Sequence, residues 1–349
     1  MARGGEIGRL LSWPRPYAAN SYLTRLADAL AGQGITTVSD RLLATLVAAP
    51  RGATWLHLHW PEWMVTDHNR VRARARSAWL AGLLDVAKLR GVRIAWTAHN
   101  LLAHDDPQPD VGRAARAKLL ARCDAVFGHF PEAEADARTL GFGGVFALTP
   151  HPNYRREYPM APTTRDAREQ LRVATAARVW LAFGAIEPYK GLDRLVAEFR
   201  RCAPAREQLI VAGAPRSERA VDDLRRASAG DPRVRLEVRF IPDDEVPTFF
   251  AAADATVLPY REFYTSGVAM LSLTFGCPIV GPPRNHLASF ASEAFFVPLA
   301  DVANLGAALD VARGIDASAR ARAVEFAAEC TWPRVARTIR ATLFDGAPA

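Results

Sequence analysis

The sequence predicts an α/β protein with two doubly wound parallel sheets, one in each half of the chain. Short apolar runs alternate with amphipathic stretches in both halves, which is typical of parallel strands covered by helices on both faces. At 349 residues the chain is too long for one ordinary core and fits two domains. An irregular stretch, PHPNYRREYPMAPTTRDAREQ, separates the two series and predicts a linker.

The first series predicts a domain over residues 1–152. Asn20 or Ser21 can cap a helix that runs through Leu30, and a long basic helix is expected from about Asn69 to Arg90. Strands are predicted at Ile7–Ser12, Thr54–Trp60, Val92–Ala98, Ala125–His129 and Val145–Thr149.

The second series predicts a domain over residues 171–330, after a linker at 153–170. Its first strand is Val179–Ile186, and the segments LIVAGAP, VRLEVRFIP, ATVLPY and CPIVGP continue it. A last helix, Thr331–Phe344, has a threonine cap and an early proline, and its apolar stripe is expected to dock on another element. That stripe consists of Trp332, Val335, Ile339 and Leu343.

Composition and charge narrow the function classes. The net charge of +7 and the pI of about 9.6 permit an anionic partner such as a nucleotide or a phospholipid surface. Nucleic acid is not expected, because the basic residues do not interleave with an aromatic platform. The four cysteines form no CxxC pair, which argues against a zinc site or a disulfide framework. The sequence shows neither a signal-peptide core nor an apolar run of bilayer length, so we expect a cytoplasmic protein.

The segment FGAIEPYKGLD predicts a strand, a loop and a helix that begins near Leu192. Such a turn makes a helix N-terminus available to an anion. Lys190 and Glu187 lie on this loop, and Lys190 is one of only three lysines in an arginine-rich chain. Gly184 and Gly191 would let a ligand approach the backbone closely. The alternative is an ordinary solvated loop lysine.

The segment YREFYTSGVAMLSLTFG predicts a second turn of the same kind. Thr265 or Ser266 is placed as the N-cap, and Gly267 lies in the first turn of the helix. Taken alone, this pattern also fits an ordinary capped helix. Two such turns in one half of the chain favour a nucleoside diphosphate as the ligand.

Four motifs resemble, in order and spacing, the C-terminal domain of GT-B glycosyltransferases. They are GxxxxxKGLDxLxxxF, LIVAGAP, FIPDDEVPTFFAAADATVLPY and SGVAMLxLxFGxPIV. HLHWPE, GVRIAWTAHNLLAHDD and CDAVFGHFPEAE extend the resemblance over about residues 7–345, toward a bacterial exopolysaccharide group near the xanthan-pathway mannosyltransferases. The resemblance implies two Rossmann-like domains that face a cleft, with helix 331–345 returning to the first domain. It also implies transfer of a hexosyl group from GDP-mannose or a UDP-sugar to a saccharide hydroxyl, with a lipid-linked acceptor.

The resemblance assigns expected roles to individual residues. Lys190 would grip the donor diphosphate, and Ser266 and Gly267 would meet phosphate or donor sugar at a helix N-terminus. Phe240 and Ile241 would border the base of the nucleotide. From the first domain, His99 would face the donor sugar.

Two positions depart from the pattern of retaining members of this group. Their two glutamates are replaced here by Phe263 and Leu271. An inverting reaction therefore gains weight, and it needs a general base. Asp105 is the first candidate, although it equally fits a helix cap. Glu62 and His99 are the others, and Glu62 also fits a role in supporting its loop.

Metal chemistry is not expected, because no Asp-x-Asp motif is present. His57 and His59 share one face of a strand and could bind a metal, but packed strand histidines are favoured. The basic stretch Asn69–Arg90 fits either an ordinary surface helix or a helix that lies on an anionic membrane at the inner face of the cell. The alternative functions are a catalytically silent GT-B protein and a sugar-nucleotide epimerase.

Overall fold

The computed structural model describes residues 7–16, 21–39, 54–104 and 106–346. The chain divides into two compact units. Unit 1 comprises Met1–His151 and Cys330–Ala349, and unit 2 comprises Pro152–Glu329. Each unit has one six-stranded sheet, and all strand pairs in both sheets are parallel.

The sheet of unit 1 has the order β2-β1-β3-β4-β5-β6. Its strands are β1 (Gly8–Trp13), β2 (Ile35–Val38), β3 (Trp55–His59), β4 (Arg93–Thr97), β5 (Ala125–Gly128) and β6 (Val145–Leu148). Its helices are α1 (Tyr22–Ala31), α2 (Arg70–Leu89), α3 (Pro109–Leu120), α4 (Glu132–Thr139) and, from the C-terminal segment, α12 (Trp332–Leu343). The five predicted strands are confirmed. β2 was not predicted, because only Ile35 of this short edge strand is buried.

Helix α12 completes the core of unit 1. Its predicted apolar stripe is confirmed, since Val335, Ile339 and Leu343 are buried and pack in one cluster with the leucines of α1. Trp55 in β3 ties the helix down, because its indole Nε1 donates a 2.8 Å hydrogen bond to the Leu343 carbonyl oxygen. Thr331 caps the helix by accepting a hydrogen bond from the amide of Arg334.

The sheet of unit 2 has the order β12-β11-β10-β7-β8-β9. Its strands are β7 (Arg178–Phe183), β8 (Glu207–Gly213), β9 (Val234–Val238), β10 (Ala255–Val257), β11 (Ile279–Gly281) and β12 (Phe296–Pro298). Its helices are α5 (Thr164–Gln170), α6 (Leu192–Cys202), α7 (Glu218–Ser228), α8 (Val246–Ala252), α9 (Gly267–Thr274), α10 (Leu305–Arg313) and α11 (Ala317–Glu329). The strand order reverses between β7 and β10, and in open α/β sheets ligands bind beyond the strand ends at such a reversal.

The stretch that the sequence marks as an irregular linker differs from that expectation. Helix α5 lies within it, and Thr163 caps this helix by accepting from the amide of Asp166 at 3.2 Å. Ala167 is fully buried in a core cluster of unit 2. The sequence pattern does not reveal this helix, because it is only seven residues long and directly follows a proline-rich stretch.

No helix among the described residues is both long and apolar enough to cross a membrane.

We expect Ile339→Ala to destabilise the protein by about 2 to 5 kcal/mol, because it would leave a cavity in the core of unit 1. Urea denaturation followed by tryptophan fluorescence measures this change. Arg337→Ala in the same helix is the matched control, since Arg337 is exposed and its loss should shift stability by less than about 0.5 kcal/mol. Equal effects of the two changes would contradict the docking of α12.

Candidate active site

The loops that follow β7 and β10 are joined at the point where the sheet of unit 2 reverses. The amide of Arg261 donates a 2.9 Å hydrogen bond to the Tyr189 carbonyl oxygen. Gly191 has a φ of 65°, and a Cβ atom there would lie 2.9 Å from the Pro259 carbonyl oxygen. A side chain at position 191 would therefore force the loops apart, which explains the glycine.

Lys190 is held inside this junction. Its side chain is buried, with 5% exposure, although it belongs to a loop. A Cβ atom on Gly184 would lie 2.9 Å from the Lys190 Nζ and 3.1 Å from a methyl carbon of Val268 in the first turn of α9. The ammonium group and the start of α9 thus border the same space, which the missing side chain of Gly184 leaves open.

The electrostatics of Lys190 favour an anionic ligand. Burial lowers the pKa of Lys190 to about 8, and the nearby Glu187 partly offsets this effect. In the part of the chain that the structure describes, no carboxylate forms an ion pair with its ammonium group. A buried cation without a counter-ion is costly, so an incoming anion would recover much of that cost.

The N-terminus of α9 supplies the second half of an anion site. Ser266 is the N-cap, and its Oγ accepts a 3.2 Å hydrogen bond from the amide of Ala269. The Tyr260 hydroxyl lies 3.5 Å from that oxygen, and the Ser266 amide points to the His286 Nδ1 at 3.4 Å. The remaining first-turn amides, beginning with Gly267, carry the positive end of the helix dipole.

Sequence reasoning missed Tyr260 and His286. Both follow strands, β10 and β11, and that position was the available signal. Of the predicted donor residues, Glu187 and Thr265 are half-buried at the two loops. Ile241 is buried in an apolar core cluster, whereas the neighbouring Phe240 is 69% exposed. The contact of Phe240 and Ile241 with a nucleotide base stays a prediction.

Phe263 and Leu271 are both buried, and neither offers a carboxylate to this region. The Phe263 ring packs against Tyr260 at 5.5 Å, and the Arg284 guanidinium lies 5.7 Å from its centroid. Leu271 belongs to an apolar core cluster. Both side chains thus serve as packing residues.

The carboxyl edge of the unit 1 sheet gathers a group of buried histidines, which we call the histidine cluster. Strands β3 to β6 each contribute a histidine at or just after their ends, and β3 contributes a second one, His57, from its middle. Topology thus brings together residues that are far apart in the sequence. The cluster consists of His57, His59, His99, His129 and His151.

His99 is fixed by its neighbours within this cluster. Its Nε2 lies 3.0 Å from the Nδ1 of His59, and the two nitrogens share one proton in a hydrogen bond. The indole of Trp60 stacks on the imidazole at 4.2 Å with planes 15° apart. The ring of Tyr22 meets it edge-on at 4.7 Å.

Burial keeps four members of the cluster, His57, His59, His99 and His129, neutral. It lowers the pKa of His57 and of His129 to about 3. Burial, together with neighbouring histidines, holds the pKa values of His59 and His99 well below their usual range. At neutral pH His99 is therefore a hydrogen-bonding group rather than a cation, and a weak proton acceptor.

Glu62 is engaged in a buried ion pair. Its Oε2 lies 2.9 Å from the Arg116 Nη2, and its Oε1 accepts from the Asn100 side chain at 3.2 Å. Arg116 also binds the Leu101 carbonyl oxygen and lies over the Trp96 ring. This arrangement ties the loop after β4 to α3, which favours the supporting role for Glu62 over that of a general base.

Two predictions fall outside the described residues, those for Asp105 and for Asn20 as a helix cap. Asp105 as general base therefore stays a prediction. His57 and His59 are both fully buried, as expected for packed strand histidines. Among residues 7–16, 21–39, 54–104 and 106–346, no group of three or more His, Cys, Asp or Glu side chains is arranged to hold a metal ion.

A family match and a curated relative show what this chain is similar to. Residues 177–311, from β7 into α10, match the family described as Glycosyl transferases group 1. A GDP-mannose:glycolipid 4-beta-D-mannosyltransferase of Xanthomonas campestris pv. campestris is 27% identical over 303 residues, which cover 84% of this chain and 78% of that protein.

Solved structures share the fold across the chain. Sucrose-phosphate synthase from Thermosynechococcus elongatus superposes with a TM-score of 0.68 at 18% identity, covering 97% of this chain and 100% of that one. HepE of Anabaena, solved in complex with UDP, gives a TM-score of 0.72 at 14% identity, covering 96% and 99%. The predicted fold class, two Rossmann-like parallel α/β domains of the GT-B type, is confirmed.

The histidine cluster should make the protein acid-sensitive. Above pH 6.5 the histidines are neutral whether the chain is folded or unfolded, so they leave stability unchanged. Below pH 6.5 these histidines bind protons in the unfolded chain but not in the folded protein. Each such histidine therefore lowers the free energy of unfolding by about 1.4 kcal/mol per pH unit. His57→Gln should reduce the slope of unfolding free energy between about pH 4 and 5.5 by roughly that amount.

Urea denaturation across this pH range measures the slope. His68→Gln, the same substitution at an exposed histidine, is the matched control. An unchanged slope in His57→Gln would show that the folded cluster accepts protons.

Proposed function

We infer that this chain, a GT-B protein whose residues 177–311 form a group 1 glycosyltransferase domain, moves a hexosyl group from a nucleoside-diphosphate sugar to a saccharide hydroxyl. The observation that carries the proposal is Lys190, a buried ammonium group without an ion-pair partner among the described residues, beside the N-terminus of α9. A diphosphate supplies the missing negative charge at this position.

Unit 2 is assigned to the donor. Lys190 and the first-turn amides of α9 would stabilise the charge that develops on the diphosphate as it leaves. Because this stabilisation is built into the fold, no metal is assigned to the step. GDP-mannose is the preferred donor, since the Xanthomonas relative is named as a GDP-mannose transferase, and a UDP-sugar is the other candidate.

Unit 1 is assigned to the acceptor and its activation. Asp105 is the proposed general base, and His99 the proposed neutral hydrogen-bond donor. A β-mannoside formed from an α-linked nucleotide donor requires inversion at the anomeric carbon. The loss of the glutamate pair at Phe263 and Leu271 agrees with such an inverting reaction.

The proposed acceptor is a lipid-linked saccharide, used in exopolysaccharide or glycoconjugate synthesis. The relative is named for a glycolipid acceptor. Helix α2, capped by Asn69, exposes Trp79, Val86 and Leu89 together with several arginines. A helix surface of this composition suits the anionic inner face of a cell membrane, where a lipid-linked acceptor resides.

One observation favours a second candidate. Apolar Phe263 and Leu271 fill positions where related enzymes use carboxylates, as expected if the chain binds a sugar nucleotide without turning it over. A catalytically silent GT-B protein would show donor binding alone.

Donor screening separates the two candidates. The midpoint of thermal unfolding of the purified protein is measured with GDP-mannose, UDP-glucose and dTDP-glucose. In separate, unheated samples, release of nucleoside diphosphate is measured with and without a soluble acceptor. We expect one donor to stabilise the fold and to be hydrolysed slowly, with hydrolysis lost in His99→Ala and Asp105→Asn. Stabilisation without any hydrolysis would support the silent protein, and no stabilisation by any donor would overturn both candidates.

Lys190→Ala should weaken donor binding by about 10- to 100-fold, because a charge-assisted hydrogen bond to phosphate is lost. Isothermal titration with the donor found in the screen measures the change. Lys118→Ala is the matched control, since Lys118 is one of the two other lysines and is exposed on α3 of unit 1. Similar losses in both variants would reduce Lys190 to a contribution to net charge.

Donor affinity should also fall at alkaline pH. The pKa of Lys190 is about 8, so the ammonium form predominates below pH 8 and is lost above it. Because bound diphosphate favours the charged form, affinity should drop by up to about tenfold per pH unit above 8. Lys190→Arg keeps its charge and should bind equally at pH 7 and 9, whereas a parallel drop in this variant would assign the titration elsewhere.

A further inference from the structure

We propose that the loop after β3 in unit 1 is a saccharide platform, in which the indole of Trp63 stacks on a pyranose ring of the acceptor. The proposal rests on the glycosyl transfer inferred above and names the surface that holds the acceptor. The loop contains Trp60 and a short 3-10 helix, Pro61–Met64.

The topology of unit 1 places this loop at a ligand-binding position. In the order β2-β1-β3, the chain first adds β2 on one side of β1 and then crosses to add β3 on the other side. The strand order thus reverses between β1 and β3. Ligands of open α/β sheets bind beyond the carboxyl ends of the strands at such a reversal, and Trp60 directly follows the carboxyl end of β3.

Trp60 has a strained backbone. Its φ of 46° and ψ of 47° lie in the left-handed region, which non-glycine residues avoid. In this conformation the Trp60 indole lies nearly parallel to two other rings. It stacks on His99 at 4.2 Å and on Trp63 at 5.7 Å, with planes 15° and 11° apart. Strain that persists in a folded protein often marks a functional site.

Trp63 is the most exposed member of this stack. The 3-10 helix buries Pro61 and Glu62, whereas Trp63 stays 52% exposed. Its ring orientation is nevertheless set by Trp60, so a ligand that stacks on it would immobilise little further. The face of an indole is electron-rich, and the C–H face of a pyranose ring carries the complementary partial positive charge.

A membrane anchor is the competing use of an exposed tryptophan, and Trp79 represents it. Trp79 is 51% exposed on the basic helix α2. Among the described residues, no aromatic ring stacks on Trp79. A residue that dips into a headgroup layer needs no fixed ring plane. The preset plane of Trp63 therefore favours a saccharide for Trp63, and the two residues form a matched pair for experiment.

The test compares Trp63→Ala, Trp63→Phe and Trp79→Ala in the full chain. Octyl β-D-mannopyranoside and octyl β-D-glucopyranoside, below their micellar concentrations, serve as soluble acceptors. For Trp63→Ala we expect KM for the pyranoside to rise roughly tenfold, with hydrolysis of the donor unchanged. Trp63→Phe should keep most of the affinity, and Trp79→Ala should leave KM unchanged.

Two results would overturn the platform. One is an unchanged pyranoside KM in Trp63→Ala. The other is loss of binding to phosphatidylglycerol vesicles in both alanine variants while that KM stays constant, which would make Trp63 an anchor. Failure of the glycosyl transfer itself is recognised separately, because wild-type protein would then turn over no sugar nucleotide. A change of tryptophan emission on pyranoside binding that is absent in Trp63→Ala would still support the platform in that case, and the same change in wild type and variant would contradict it.

Discussion

The buried ammonium group of Lys190 dominates the electrostatics of the junction between the loops after β7 and β10. The folded chain holds the Lys190 ammonium group against the start of α9, between loops that Gly184 and Gly191 allow to meet. An amino group in this position loses much of its hydration, and the lowered pKa expresses that cost. A bound anion, as proposed for the donor diphosphate, would offset this cost.

Unit 1 follows the opposite rule at the same edge of its own sheet. There the titratable groups of the histidine cluster are kept uncharged by burial, and aromatic rings fix their orientation. A neutral imidazole such as His99 can orient a substrate through hydrogen bonds without attracting stray anions. One unit therefore presents a charged group and the other presents neutral groups of fixed orientation, as the proposed reaction between a charged donor and an uncharged saccharide would require.

The elements that can be predicted from the sequence are those whose signals lie within a few consecutive residues. The turn around Lys190 and the capped start of α9 follow from strand, glycine, cap and helix signals within a few residues of one another. The histidine cluster does not, because four strands must pair before His59 and His99 meet. The left-handed backbone conformation of Trp60 cannot be predicted from the sequence either, because the ring contacts that accompany it, such as stacking on His99, form only in the folded protein. Strands β2 and β12 escape prediction because short edge strands carry little burial pattern.

Helix α12 has a consequence for how the protein is made. Unit 1 is built from two separated pieces of the chain, and all of Pro152–Glu329 lies between them. Ribosomes need on the order of ten seconds or more to synthesise that interval. Throughout it, the apolar surface of α1 and the Trp55 indole lack the helix that covers them. Unit 2 can finish folding first, although it is encoded second, and the earlier half of the nascent chain is the one that chaperones must protect.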